Sequence, residues 1–173
     1  MSLSSHQSAK SKTCDWLTPP EWIEALGPFD TDPCASRDQP WRTATLQWDA
    51  AQDGLARQWA GFTWLNPPYG PPSVITPWMK KMALHRDGIA CIPARTETQM
   101  WFDYVWLQAH AVLFVKGRPH FHYPVTGARG KSNSGAPIAL IAYGENAVHR
   151  LFMSGIGGHL VPLRYCSSIK ETM

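Results

Sequence analysis

The sequence predicts an α/β domain in which helices flank a mostly parallel sheet. Three apolar runs rich in β-branched and aromatic residues, at 62–65, 88–94 and 111–115, have the composition of buried strands. After each of the first two, the chain turns and continues with apolar residues at helical spacing. Because this alternation of strand, turn and helix is typical of parallel α/β sheets, we expect that fold class.

Composition limits the class of protein further. The chain has 173 residues, of which 44% are hydrophobic and 17% charged, so we expect one globular domain with a sizeable core. Ser, Lys and Gln dominate the first residues, which predicts a disordered leader over 1–13 and a single domain over 14–173. Without an export signal or an apolar run of about 18 residues, we expect a cytoplasmic protein with no membrane partner.

Cysteine spacing and net charge are informative mainly through what they exclude. The four cysteines are scattered, with no C-x-x-C pair, so we expect reduced thiols, no disulfide framework and no metal site. His120 and His122 alternate with aromatic residues, but no acidic or cysteine partner lies near them in the sequence. A net charge of +3 permits a nucleic-acid partner without requiring one.

The first predicted helix begins at Thr18-Pro19-Pro20-Glu21. Thr18 is a favoured N-cap, Pro19 suits the first helical position, and Glu21 would complete a capping box. Gly27-Pro28 would end the helix. Its buried face would comprise Trp22, Ile23, Ala25 and Leu26.

A short strand is predicted next, with Asp30 and Asp32 at its end. Asp32-Pro33 also favours a turn, so the residues alone are compatible with either a binding role or a simple turn. Residues 37–48 have no clean periodicity and are too few for a complete β–α unit. We therefore expect this part of the sheet to be abbreviated.

The most informative motif is Asn66-Pro67-Pro68-Tyr69, directly after the strand at 62–65. Two consecutive prolines cannot continue a strand, because neither has an N–H group and both fix φ. The chain therefore leaves the sheet in a rigid turn at the strand's carboxyl end, the edge at which open α/β sheets bind ligands. The Asn66 amide oxygen and the Pro67 carbonyl are two acceptors, and Tyr69 adds a flat ring. This combination suits a planar base that carries an exocyclic amino group.

Asn66-Pro67-Pro68-Tyr69 resembles the catalytic signature of amino-methyltransferases that use S-adenosylmethionine (AdoMet). Over residues 16–144 the chain resembles the small phage and prophage DNA N6-adenine methyltransferases (Dam-like). The resemblance implies a Rossmann-like fold and an adenine-specific DNA methyltransferase encoded by a phage or prophage and active in the bacterial cytoplasm. AdoMet would be the cofactor. DNA would be the partner, either single-stranded or double-stranded with the target base flipped.

The resemblance also implies which residues contact the cofactor. Thr18 and Pro19 would contact the methionine end, and Asp32 with Pro33-Cys34-Ala35 would end the first cofactor strand. Asp53, which matches the family pattern better than Asp49, would accept a hydrogen bond from the cofactor's adenine, and Asn66 would border the same site. No G-x-G motif follows the first predicted strand, so the small residues Cys34, Ala35 and Ser36 would allow the cofactor's close approach.

The residues after the turn at Asn66-Pro67-Pro68-Tyr69 predict further helices and strands. Pro71-Pro72-Ser73 would open a helix, 99–109 would form another, and 137–143 would be the last strong strand, followed by a helix and a weak strand over 145–163. The buried stripe of the first of these helices would comprise Val74, Ile75, Trp78, Met79, Met82 and Ala83. Lys80, Lys81, His85 and Arg86 would form its solvated face.

Residues between the third and last strands are predicted to contact DNA. The segment 125–135 combines Gly and Ser with the cations Arg129 and Lys131, which is typical of a mobile loop and compatible with phosphate contacts. By resemblance, Arg118 belongs to the same surface. Phe121 would hold the target base from the side opposite Tyr69.

Two alternatives remain open at this stage. The same four-residue signature occurs in enzymes that methylate cytosine N4 or the glutamine side-chain amide, since each target is a nitrogen attached to a planar π-system. A catalytically inactive DNA-binding module with this fold is the alternative from another class. The lack of a G-x-G motif after the first predicted strand and the abbreviated segment 37–48 favour that module.

Overall fold

The computed structural model of the protein describes residues 16–164, so the leader predicted over 1–13 and the domain boundary at 14 lie outside the described residues. One sheet of seven strands forms the centre of the fold. The strands are β1 (Thr31–Asp32), β2 (Leu46–Gln47), β3 (Thr63–Leu65), β4 (Gly88–Pro93), β5 (Ala111–Val115), β6 (Ile138–Tyr143) and β7 (Gly158–Pro162). The helices are α1 (Pro20–Leu26), α2 (Pro72–His85), α3 (Gln99–Trp101) and α4 (Glu145–Met153). A 3-10 turn (Ala50–Gln52) precedes β3, and a π-helical turn (Phe102–Trp106) continues α3.

The sheet has the spatial order β2-β1-β3-β4-β6-β5-β7, and its two halves differ in strand direction. β2, β1, β3 and β4 run parallel. β6 lies antiparallel between β4 and β5, and β7 is antiparallel to β5. A loop without a helix joins β5 to β6, which suits antiparallel neighbours because parallel ones need a longer crossover. The predicted Rossmann-like α/β fold is confirmed, with an antiparallel part that the sequence analysis did not predict.

The strand order reverses between β1 and β3. From β1 the chain continues to β2 on one side, and from β3 it continues to β4 on the other. Ligands of open α/β sheets bind outside the carboxyl ends of the strands at such a reversal. Residues 33–45, between β1 and β2, contain no helix, so this half of the sheet is abbreviated as expected.

The sheet separates two hydrophobic clusters, one on each face. Side chains alternate along β4: Ile89 and Cys91 belong to the cluster that includes α1 and α4, while Ala90 and Ile92 belong to the cluster that includes α2 and α3. All four residues are 0% exposed. This is the pattern of a strand covered by helices on both faces.

The start of α1 corrects one prediction. The N-cap is Pro19 and the first helical residue is Pro20, one position later than predicted. No side chain makes a capping hydrogen bond at this end, so the capping box predicted for Thr18 and Glu21 is wrong. Thr18 lies one residue too early to cap and is 3% exposed.

The helix predicted over 99–109 is also different. Only Gln99–Trp101 is α-helical, and the apolar Phe102 is 52% exposed. The indole N–H groups of Trp101 and Trp106 donate to the carbonyls of Pro93 and Thr96. Two residues that are five positions apart can both face this loop because the wider π turn brings them to one side.

The surface of α2 differs from its prediction at three positions, one of which is His85, predicted to be solvated but half-buried with Nε2 2.9 Å from the Gly61 carbonyl. Val74, predicted to be in the buried stripe, is 37% exposed. Lys81, predicted to be solvated, donates from Nζ to the carbonyls of Leu55, at 2.6 Å, and Arg57. It also lies 5.0 Å from the centre of the Trp59 ring, and its partial burial lowers the pKa of its ammonium group. Lys81 therefore holds the loop that precedes β3 against α2.

Candidate active site

A cavity of about 800 Å³ lies where the carboxyl ends of β1 and β3 meet. Its volume is in the range of small-molecule sites in proteins. Its walls are formed by residues 32–37 after β1, 49–54 before β3, 66–69 after β3, and 16–18 ahead of α1. All of the residues predicted to contact the cofactor line this cavity, with the exception of Pro19: they are Thr18, Asp32, Pro33, Cys34, Ala35, Asp53 and Asn66.

Asn66 presents an unpartnered acceptor at the wall of this cavity. Its Nδ2 donates to the Trp16 carbonyl at 3.0 Å, which fixes the direction of the amide. Its Oδ1 is buried and accepts no hydrogen bond from the described residues. Likewise, no hydrogen bond reaches the carbonyl of Pro67 from residues 16–164. A buried polar atom without a partner costs about 1–3 kcal/mol, which a ligand N–H group would offset.

Tyr69 is fixed through its hydroxyl group. The hydroxyl donates to the Cys91 carbonyl at 3.1 Å, and burial raises the pKa of the Tyr69 side chain well above its usual value. The hydroxyl therefore stays protonated and serves as a structural donor. The ring contacts Phe121 edge to face, with centroids 6.2 Å apart and planes at 82°.

The slot predicted between Tyr69 and Phe121 is absent from this structure. Two rings that sandwich a base must be parallel and separated by it, whereas these two are in direct contact at nearly a right angle. Phe121 is 5% exposed, so it is a packing residue beneath Tyr69. A base held between the two rings would require one of them to move.

Asp32 is a buried carboxylate at the end of β1. It is 3% exposed and accepts hydrogen bonds from the Thr43 hydroxyl and, at 3.0 Å, from the Cys34 backbone N–H. Burial raises the pKa of Asp32 to about 6, although both hydrogen bonds act in the opposite direction. At neutral pH the group is therefore ionised but poorly solvated, a state that a cationic ligand group would stabilise.

The two other polar side chains predicted for the cofactor also border the cavity. The Thr18 hydroxyl is buried and has no hydrogen-bond partner among the described residues. Asp53 is exposed, with a left-handed φ of 49°, and its carboxylate accepts one long hydrogen bond from the Ala56 N–H at 3.4 Å. The Asp49 carboxylate is more heavily engaged: it bonds to Arg37 at 2.9 Å and caps the 3-10 turn. Asp53 is thus the more available of the two carboxylates.

Gly54 explains how the site forms without a G-x-G motif. A Cβ atom at this position would lie 2.1 Å from the carbonyl oxygen of Pro33. Only glycine allows the loop before β3 to approach the loop after β1 so closely. Cys34 lies in the second of these loops, and burial followed by the charge of Asp32 raises the pKa of its thiol. The thiol is therefore protonated and unsuited to nucleophilic chemistry.

The cations predicted to contact DNA lie outside the cavity. Arg118, Arg129 and Lys131 are exposed on the segment between β5 and β6, and none of them lines the cavity. Arg118 donates to the Gly135 carbonyl at 3.3 Å, within the same segment. The segment is attached to the site through a bridge that pairs Leu17 with His122 and His122 with Arg129.

The two histidines of this segment have structural contacts. His120 Nδ1 lies 2.9 Å from the Gly130 carbonyl, and His122 Nδ1 lies 2.8 Å from the Gly127 carbonyl, so each Nδ1 is the N–H donor. Residues 16–164 contain no group of three or more side chains arranged to hold a metal ion. Within the same part of the chain, no helix has the length and apolar character needed to cross a membrane.

Sequence reasoning missed two contributors to the site. Trp16, whose carbonyl orients Asn66, is 50 positions away from it and makes the contact through its backbone, so no side-chain pattern indicates it. Thr43 bonds to Asp32 from within the segment that has no clean periodicity. A hydroxyl near a buried acid in sequence was the only available signal for Thr43.

Comparison with known proteins agrees with this geometry. A search of curated proteins and a search of solved structures each found no match. The family model described as DNA N-6-adenine-methyltransferase (Dam) matches residues 5–152, a span that contains every residue lining the cavity. The match covers most of the chain, and on this basis the chain belongs to the DNA N-6-adenine-methyltransferase (Dam) family.

Proposed function

We propose that this protein transfers a methyl group from AdoMet to the N6 amino group of adenine in DNA, within the cavity between β1 and β3. The observation that carries the proposal is the buried Oδ1 atom of Asn66, an acceptor without a partner at the cavity wall. An exocyclic amino group supplies the N–H donor that this atom lacks. Membership of the Dam family supports adenine in DNA as the source of that amino group.

The polar side chains that line the cavity fit AdoMet. The ionised carboxylate of Asp32 suits the ammonium group of the methionine end or the ribose hydroxyls, and the unpartnered Thr18 hydroxyl lies in the same wall. Asp53 is an available acceptor for the amino group of the cofactor's adenine. When bound, AdoMet supplies a methyl group on a positively charged sulfur, which is already a good leaving group.

The turn at Asn66-Pro67-Pro68-Tyr69 can make adenine N6 a better nucleophile. The lone pair of adenine N6 is delocalised into the ring, so the nitrogen is planar and unreactive. Hydrogen bonds from N6 to Asn66 Oδ1 and to the Pro67 carbonyl favour a tetrahedral nitrogen whose lone pair can attack. The same two acceptors stabilise the positive charge that develops on N6, which is electrostatic catalysis by fixed dipoles. The proton can then leave to water.

The target base must also leave the helical stack. A base within a duplex cannot reach the turn, so the substrate is single-stranded or its adenine is flipped. Pro68 and Tyr69 complete the wall on which the base would rest. Stacking on an aromatic ring is worth about 1–3 kcal/mol per base, which offsets part of the cost of unstacking.

Replacement of Asn66 tests the proposal most directly. We expect Asn66→Ala to reduce methyl transfer by about a thousandfold or more, since an acceptor that acts on the transition state is lost. Its affinity for AdoMet, measured by calorimetry, should stay close to that of the wild type. Asn146→Ala, at an exposed position on α4, is the matched control and should retain full activity. Equal losses of cofactor binding and activity in Asn66→Ala would contradict the assigned role.

Two assays separate the alternatives. Mass spectrometry of nucleosides from DNA of an expressing strain distinguishes N6-methyladenine from N4-methylcytosine, and an unmodified DNA pool would favour a protein substrate. Calorimetric titration of the wild-type protein with AdoMet distinguishes an enzyme from an inactive DNA-binding module, since a module without a cofactor pocket gives no heat.

A further inference from the structure

The segment between β5 and β6 contains a small hairpin, residues 121–130, with backbone hydrogen bonds of its own. The N–H group of Gly130 donates to the Phe121 carbonyl at 2.7 Å, and that of Tyr123 donates to the Ala128 carbonyl at 2.9 Å. The hairpin therefore has a defined geometry that it can impose on its neighbours. Although none of its residues lines the cavity, it contacts both predicted catalytic side chains, directly or through one intermediate.

The first connection leads to Asn66. Leu17 and His122 exchange two backbone hydrogen bonds, from Leu17 N to His122 O at 3.0 Å and from His122 N to Leu17 O at 2.8 Å. The ring of the preceding residue, Trp16, packs on Tyr123 of the hairpin with centroids 5.2 Å apart. The carbonyl of Trp16 then accepts the Nδ2 hydrogen bond of Asn66 at 3.0 Å.

This connection decides which end of the Asn66 amide serves the reaction. Because Trp16 presents an acceptor, the amide must turn its NH₂ group towards Trp16 and leave Oδ1 on the other side. An amide rotated by half a turn would offer N–H groups to the substrate amino group, and two sets of donors repel. The position of one backbone carbonyl therefore selects the productive orientation.

The second connection leads to Tyr69. Phe121, the first residue of the hairpin, contacts the Tyr69 ring edge to face. The Tyr69 hydroxyl is held on β4 by its bond to Cys91, so rotation about the long axis of the ring is the motion that remains, and the edge-to-face contact with Phe121 limits it. One hairpin thus constrains both the acceptor and the ring of the catalytic turn.

We propose that the 121–130 hairpin is a positioning element for catalysis, which orients the Asn66 amide through Trp16 and Leu17 and supports the Tyr69 ring through Phe121. The inference rests on the proposed methyl transfer but concerns a hairpin none of whose residues lines the cavity. Arg129 pairs with His122 in the bridge. Contacts between Arg129 and DNA phosphates would consequently act on the element that aligns the reacting groups.

The variant Gly130→Ala tests this role. A Cβ atom at position 130 would lie 2.6 Å from the Phe121 carbonyl oxygen, so the hairpin must shift at Phe121, and it would come into contact with the Trp16 ring at 3.4 Å. The matched control is Gly157→Ala, outside the predicted DNA-contacting segment, where an added Cβ meets nothing within 4 Å. With saturating DNA and AdoMet we expect kcat to fall about 10- to 100-fold in Gly130→Ala and to remain at the wild-type level in the control. Affinity for AdoMet should be unchanged in both variants.

The side-chain amide signal of Asn66 gives a readout that a general loss of stability would not change. The signal can be identified in a ¹⁵N-labelled sample by its disappearance in Asn66→Ala. We expect it to shift in Gly130→Ala and to stay in place in Gly157→Ala. Tyr123→Leu, which removes the ring that packs on Trp16, should shift it in the same way and serves if Gly130→Ala does not fold.

Two results would overturn the inference. One is wild-type kcat in a folded Gly130→Ala protein, and the other is an unmoved Asn66 amide signal in both Gly130→Ala and Tyr123→Leu. The proposed function fails separately, if the wild-type protein itself transfers no methyl group. In that case the amide signal would still report whether the hairpin orients Asn66.

Discussion

The two halves of the sheet differ in strand length and in their contribution to the cavity. In the parallel half, the strands β2, β1 and β3 have only two or three residues, yet the loops at their ends form most of the cavity wall, whereas β4 has six residues. The antiparallel half, β6-β5-β7, has strands of five or six residues, and no residue from 88 to 164 lines the cavity. From this difference we infer that the residues that contribute most to stability and the residues of the candidate active site lie in separate parts of one sheet. Substitutions in the two halves should therefore have effects of different kinds.

The largest effect on stability is expected in the antiparallel half. Leu140 in β6 is 0% exposed, so Leu140→Ala removes buried apolar volume and should lower the free energy of unfolding by about 2–5 kcal/mol. Urea unfolding measures this change, with Leu84→Ala as control because Leu84 is 73% exposed. Activity per folded molecule should be unchanged. A specific loss of kcat in folded Leu140→Ala would show that the two halves are not separate.

Asp32 should give the next largest effect, through pH. Since its pKa is about 6 in the folded protein and near 3.8 when unfolded, the folded state binds more protons between these values. The free energy of unfolding of the cofactor-free protein should thus fall as pH rises from about 4 to about 6, by on the order of 3 kcal/mol. Affinity for AdoMet should rise over the same window, because the ionised carboxylate binds the cation.

The variant Asp32→Asn separates these two contributions. An amide keeps a partner for both Thr43 and Cys34, so the variant should be more stable than the wild type at pH 7 while binding AdoMet more weakly and without this pH dependence. Thermal unfolding and calorimetry at several pH values measure both quantities. Asp38→Asn, at an exposed position, is the control. Unchanged cofactor affinity in Asp32→Asn would remove Asp32 from the binding site.

Substitution of one tyrosine in each half of the sheet allows a sharper comparison. The stacking of a base on Tyr69 should be worth about 1–3 kcal/mol of binding free energy. Tyr69→Ala should weaken DNA binding through loss of stacking, whereas Tyr69→Phe keeps the ring and should retain most activity. Loss of the bond to Cys91 should cost Tyr69→Phe about 1 kcal/mol of stability. Tyr143→Phe is the matched control, since the Tyr143 hydroxyl bonds to the Tyr104 carbonyl far from the cavity lining. An inactive but folded Tyr69→Phe would refute the stacking role.

The smallest effect is expected from the exposed cations between β5 and β6. Arg129→Gln with Lys131→Gln should weaken DNA binding for all sequences and reduce the dependence of affinity on salt by about one ion per lost phosphate contact. Titrations at several salt concentrations measure this slope. Lys80→Gln, at an exposed position on α2, is the control. An unchanged slope in the double variant would place the DNA elsewhere on the surface.

Local patterns predicted most of the strands, although β2 lies in the segment 37–48, for which no strand was predicted. Pro67 and Pro68 end β3 because neither proline can continue a strand, and the turn at Asn66-Pro67-Pro68-Tyr69 follows from this. Strands β3, β4 and β5 were found from their apolar runs, since burial on both faces leaves a continuous signal. Even the abbreviated connection between β1 and β2 follows from chain length, because too few residues are available for a helix.

Features that depend on distant partners could not be predicted in this way. The antiparallel direction of β6 is set by its pairing with β4 and β5, which local composition does not encode. The π turn after α3 depends on where two indole groups find carbonyl acceptors. Thr18 matches a capping pattern, but Pro20 begins the helix one residue later and leaves the hydroxyl at the cavity. A local motif was overridden there by its surroundings.

The shortness of β1 has a consequence for motion. A strand of two residues contributes few ladder hydrogen bonds, so β1, which carries Asp32, can separate from β3 at a lower free-energy cost than unfolding of β4 to β6. Amide hydrogen exchange should accordingly be fast along β1 and slow in the centre of the sheet. A ligand that contacts the ends of both strands would stabilise the pairing of β1 with β3. The cofactor would therefore add to the few hydrogen bonds that hold these two strands together.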